Sequence, residues 1–164
     1  MEKYVVDASA LVDIHNHFRG KFRKLKALVE SGCVKIPEGV LRELRRTTDK
    51  LSKTLERWVE NFPHCIVQID RVHNLASELV RVERQYGERI QVGVNERPGF
   101  WTSPSGRKAA DGQVVAVTKI LKCTAVSDDY AVRLACMLEG IPCIGWTEFV
   151  RQIGSNSNQL RLFE

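Results

Sequence analysis

The chain has 164 residues, 43% of them hydrophobic and 27% charged, the size and composition of one globular domain with a substantial core. Eleven Gly and five Pro exclude a collagen-like or low-complexity chain, and no apolar run approaches the roughly 20 residues that span a bilayer. Lys plus Arg number 25 against 20 Asp plus Glu, a net charge of +5 that suits an anionic partner. The five Cys form no CxxC pair, so neither a zinc site nor a disulfide framework is expected, and a reducing, cytoplasmic location is. The opening residues lack a signal-peptide pattern, and no membrane association is expected.

Tyr4, Val5 and Val6 read as a short strand ending at Asp7, and Ser9 is placed to cap a helix carrying Leu11, Val12 and Ile14. A second helix is predicted over 21–30, stopped by Ser31-Gly32, and a second strand over 33–36. Pro37 suits the first turn of the next helix, and Leu51, Leu55, Trp58 and Val59 continue a helical stripe to Asn61. A strand over 65–69 and a helix over 72–86 follow. The segment 87–108 holds Gly93, Pro98, Gly99, Pro104 and Gly106 and reads as a long loop with a short β segment, a length that in compact domains usually carries function. Asp111 opens an apolar helix reaching residue 121. Then come a strand over 123–127, a helix from Asp128-Asp129, a strand at 143–144 and a last helix over 146–153. Residues 154–164 read as a flexible tail. Short apolar strands separated by helices predict an α/β domain over 1–153, with a central parallel sheet between helical layers.

The acids fall at informative places. Asp7 ends the first strand, Asp128 and Asp129 follow a later one, Asp111 starts a helix, and Glu43 lies in the helix after the second strand. In open parallel sheets, ligand sites lie beyond the carboxyl ends of the strands, so residues over a hundred positions apart can converge there. Carboxylates gathered at about 5 Å repel by roughly 3 kcal/mol per pair at an effective dielectric near 20. Protonation or a divalent cation relieves that repulsion, and an all-oxygen ligand set selects Mg²⁺ or Mn²⁺ over zinc. Acids at helix starts also serve as ordinary caps.

Four segments in order, YVVDASALVDI, IPEGVLRELRR, KAADGQVVAVTKIL and AVSDDYAVRLA, resemble the PIN-domain nucleases over about residues 3–153. The resemblance implies a three-layer α/β/α PIN-like fold and a VapC-like, Mg²⁺- or Mn²⁺-dependent endoribonuclease. It assigns Asp7, Glu43, Asp111 and Asp129 as the catalytic and metal-binding acids, with Asp128 a competitor for the fourth place. Ser9 and Ser127 become supporting hydroxyls. It further implies an RNA substrate, an antitoxin partner and a homodimer.

Arg45, Arg46, Arg107 and Lys108 are candidate phosphate contacts, and Trp101 a candidate base-stacking platform, although Phe100 and Trp101 would equally anchor the loop to the body. Gln159, Leu160, Leu162 and Phe163 form a QLxLF pattern, similar to the peptide by which bacterial proteins bind the DNA sliding clamp. Two rival readings remain at this level: a PIN-like nuclease acting on DNA or recruited to the clamp, and a non-catalytic module that binds RNA or protein.

Overall fold

The computed structural model describes residues 1–47, 49–104, 106–108 and 110–160, with the side chains of all of these except 108 and 155–160. Five strands, β1 (Tyr4–Val6), β2 (Val34–Pro37), β3 (Ile66–Val67), β6 (Thr124–Val126) and β7 (Cys143–Ile144), form one parallel sheet in the order β3-β2-β1-β6-β7. The central strands β1 and β6 are buried along their whole length because both faces are covered, whereas β2 carries half-buried Lys35 and the edge strand β7 is half-buried. Val5, Val6, Val34, Ile36, Ala125 and Val126 are all fully buried.

The helices are α1 (Ala8–His17), α2 (Arg19–Glu30), α3 (Glu38–Leu44), α4 (Lys50–Asn61), α5 (Leu75–Tyr86), α6 (Asp111–Leu121), α7 (Tyr130–Glu139) and α8 (Trp146–Leu160). The chain steps from β1 to β2 to β3 in one direction and from β3 to β6 to β7 in the other. Right-handed crossovers therefore put α1–α4 on one face and α5–α7 on the opposite face, which gives the three layers. The helix packing agrees: α1 meets α2, α3 and α8, whereas α6 meets α5 and α7. Val114, Val115, Ala116 and Val117 of α6 are all buried, the mark of a helix enclosed nearly all round. One charge cluster joins the second group. Arg81 on α5 pairs with Glu139 on α7 and with Glu78 at 2.6 Å, and Lys119 on α6 reaches Glu78 at 3.2 Å and Glu139 at 3.4 Å.

Several expectations need correction. The cap of α1 is Asp7 rather than Ser9, because the Asp7 carboxylate accepts from Ala10 N at 2.7 Å; Ser9 stands exposed in the first turn. The stripe from 38 to 61 is two helices, since Asp49 caps a fresh start by accepting from Ser52 N at 2.9 Å. The predicted loop over 87–108 contains an antiparallel hairpin, β4 (Arg89–Val92) and β5 (Asn95–Pro98), turned at Gly93-Val94 with Gly93 at φ 60°. Where the sequence suggests a tail from 154, α8 continues to Leu160. Leu162 and Phe163 lie outside the described residues, as do the side chains of Lys108, Gln159 and Leu160. Among the described residues no helix is long and apolar enough to cross a membrane.

Candidate active site

The register builds the site. Val6 pairs with Val126, so the next residue of each strand, Asp7 and Ser127, emerge side by side where the strand order reverses. The backbone confirms the join, Asp7 N donating to Val126 O at 3.1 Å. Ser127, fully buried, donates its hydroxyl to Asp7 Oδ2 and accepts from Asp129 N at 3.1 Å. One hydroxyl thus links the first acid to the backbone of the fourth. Asp129 caps α7 by accepting from Val132 N at 2.9 Å.

Asp111 stands at the head of α6. Gln113, two residues on, accepts from Gly39 N at 2.8 Å, and a Cβ at Gly39 would meet the Gln113 amide at 2.7 Å. This close approach joins the first turns of α3 and α6, and so brings half-buried Glu43 of α3 toward Asp111.

The electrostatics record the gathering. Burial pushes the Asp111 carboxyl up to about 7, with the charges of Asp129, Asp7 and Glu43 adding to the shift. Burial pushes Asp7 up to about 6; the hydrogen bonds from Ser127 and Ala10 pull the other way, and the charges of Asp129 and Asp128 raise it further. Asp7, Glu43, Asp111 and Asp129 therefore share one region, although their positions in the chain span more than a hundred residues. Among the described residues no three His, Cys, Asp or Glu side chains are drawn together tightly enough to hold a metal ion as they stand.

Asp128 points elsewhere. Its carboxylate accepts from Trp146 N at 3.0 Å, at the start of α8, and lies 3.7 Å from Arg133. Asp129, in contrast, shares with Asp111 the wall of a cavity of about 280 Å³, completed by residues from 98–103 and by Tyr130 and Ala131.

The basic and aromatic candidates divide. Arg45 is engaged with Glu56 through two hydrogen bonds of 2.5 and 3.2 Å. Arg46 is exposed. Trp101 packs so close to Gly87 that a Cβ there would meet its ring at 2.6 Å, and Arg107 lies over that ring at 4.4 Å from the centroid. Phe100 is buried against Tyr86. This aromatic pair thus anchors the hairpin, and the guanidinium takes up a face of Trp101. Gln113, Ser103 and Tyr130 join the site without a motif of their own. Of these only Tyr130 carried a visible signal, an aromatic residue directly after the SDD turn.

Comparison with solved structures places this architecture among the PIN-type α/β/α folds. The chain is similar to FitAB bound to an IR36 DNA fragment, with 15% identity over 87% of this chain and 94% of that one and a TM-score of 0.51. It is similar to PAE2754 from Pyrobaculum aerophilum, with 14% identity over 94% and 98% and a TM-score of 0.50. VapBC2 from Rickettsia felis, bound to a DNA fragment from their promoter, gives 14% identity over 87% and 98% and a TM-score of 0.51. No family model matches the sequence, and neither does any curated protein.

Proposed function

We propose that the chain is a VapC-like nuclease, hydrolysing phosphodiester bonds of RNA with Mg²⁺ or Mn²⁺, and the toxin of a toxin–antitoxin pair acting in the cytoplasm. The observation that carries the reading is the convergence of Asp7, Glu43, Asp111 and Asp129 beyond the carboxyl end of the sheet, close enough for each charge to raise the pKa of Asp111. The residues suit a divalent cation in kind, because the donors are carboxylates with a hydroxyl behind them, the hard oxygen set that Mg²⁺ and Mn²⁺ prefer.

Asp7, Asp111, Asp129 and Glu43 would hold the ion. When bound, it supplies charge neutralisation at a phosphodiester and acidifies water. Ser127 fixes Asp7 Oδ2, the bond from Ala10 fixes Oδ1, and each oxygen keeps a lone pair directed elsewhere. Asp129 is held in the same way by the first turn of α7. The protein's part is thus to orient acids that would otherwise move apart. The toxin–antitoxin assignment leans on the fold shared with VapBC2 and FitAB, and includes an antitoxin partner and a homodimer.

The test is cleavage of single-stranded RNA by the parent chain and by Asp7→Asn, each with Mn²⁺, Mg²⁺ or EDTA. Cleavage by the parent with either metal, absent in EDTA and in the variant, is expected. Equal cleavage by the two proteins would overturn the reading.

A further inference from the structure

The cavity beside the acids has walls that the hydrolytic chemistry does not require. Besides Asp111 and Asp129 it is lined by Pro98, Phe100, Thr102 and Ser103 from the hairpin's end and by Tyr130 and Ala131 from α7. Its volume of about 280 Å³ falls just under the roughly 300–1,000 Å³ of small-molecule sites, room for one ring-sized group.

Two side chains in this wall lack a folding role. Tyr130 is 60% exposed, a large aromatic in the first turn of α7 that the core does not use. The Ser103 hydroxyl is buried with no hydrogen-bond partner among the described residues, whereas buried polar groups are nearly always paired. The wall itself is fixed. Trp101 N donates to Gly87 O at 2.7 Å, Gly99 N donates to Glu88 O at 3.0 Å, and a Cβ on Gly99 would strike the backbone carbonyls of Tyr86 and Gly87.

We propose that this cavity receives the unpaired nucleobase adjoining the phosphodiester held at the acids, Tyr130 stacking on its face and Ser103 Oγ bonding to its edge. A base has the two features the wall lacks partners for, a π face and polar edge atoms. Among the described residues the rest of the wall offers a phosphate no Lys or Arg, only the side chains of Pro98, Phe100, Thr102, Ser103, Tyr130 and Ala131, which suit a neutral base. The base must be unstacked to enter, so the subsite selects single strands. The proposal rests on the nuclease reading for the identity of the phosphodiester, but its own content is binding and is measured without catalysis.

Fluorescence anisotropy on the full chain in Mg²⁺ buffer tests it. The probes are oligouridine of about 12 nucleotides and an abasic ribose strand of equal length, both phosphorothioate-linked to resist hydrolysis. The parent is expected to prefer the base-bearing strand about tenfold, the scale of one base–aromatic stack. Tyr130→Ala should erase the preference and Tyr130→Phe keep it, whereas a merely structural loss would weaken both strands alike. Ser103→Ala should keep the preference but narrow the spread among U, C, A and G strands. A parent that binds both strands equally or neither, or a Tyr130→Ala protein that keeps the preference, overturns the subsite. Cleavage of unmodified RNA is scored separately: preference without cleavage retains the subsite and rejects the nuclease, and cleavage without preference does the reverse.

Discussion

Ser127 hydrogen-bonds to Oδ2 of Asp7, 120 positions away in the chain, while accepting from the backbone of Asp129. The contact exists because β1 and β6 are in register and end together. Ser127→Ala removes both bonds at once and leaves a buried carboxylate and a backbone N–H short of a partner. The expected cost is about 1–3 kcal/mol in urea unfolding at neutral pH, with RNA cleavage reduced as Asp7 loses its fixed orientation. An Ala variant as stable as the parent would mean that the bond is not holding Asp7.

Asp111 makes stability depend on pH in a defined direction. Its folded carboxyl sits near 7 against an ordinary 3.8, so between about pH 4 and 7 the folded chain holds a proton that the unfolded chain has released. Stability should fall as pH rises through that window and level off above it. Asn at position 111 cannot ionise. In EDTA, Asp111→Asn should match the parent near pH 4 and exceed it at pH 8 by on the order of 4 kcal/mol, read from thermal melts. Equal melting at pH 8 would show that the charged Asp111 carboxylate carries no burial or repulsion cost.

Cation binding should reverse that loss. In pH 7.5 buffer, Mn²⁺ at a hundred times its dissociation constant is expected to stabilise the parent by about 2.7 kcal/mol. Asp111→Asn should lose most of the shift. Thermal melts over a metal titration check this, and a parent indifferent to both Mn²⁺ and Mg²⁺ would remove the metal from the proposal.

Gly99 tests the anchoring of the hairpin. Its φ of −89° is open to any residue, so the penalty of Gly99→Ala is steric: the methyl strikes the carbonyls of Tyr86 and Gly87. A loss of about 1–3 kcal/mol is expected by chemical denaturation. Gly93→Ala at the hairpin tip meets no atom within 4 Å, and its smaller cost comes from the positive φ alone.

The rival reading of the tail, in which QLRLF binds a bacterial sliding clamp, has its own test. Removing residues 159–164 should abolish retention on immobilised clamp and leave RNA cleavage unchanged. A truncated chain that is still retained would sink this assignment.

The strand and helix alternation was readable because the central strands β1 and β6 are buried throughout and largely apolar, as in YVV and TAV. The placing of Asp7 and Asp129 at one edge of the sheet was readable because each follows a buried strand and opens the next helix. The hairpin was not, because RIQV and NERP are largely exposed and lack a periodic signal. The choice between Asp128 and Asp129 was also hidden. It depends on which carboxylate the chain turns toward Trp146 as it leaves β6. The cap of α1 was misplaced by two residues because Asp7 performs that duty and binds Ser127 with its other oxygen, and a sequence does not reveal a residue serving two elements. The end of α8 was missed because Gly154 and the Ser/Asn residues after it are poor helix formers.

The tip of the β4–β5 hairpin has a practical consequence. Val94 is 95% exposed in a two-residue turn, and the hairpin is secured at its opposite end by Gly87, Gly99 and Trp101. Position 94 is therefore a natural attachment point for a fluorophore or crosslinker. A dye placed there would sit outside the packed body, at the far end of the ribbon that leads into Phe100 and Ser103, and would report the seating of the hairpin without altering the carboxylates.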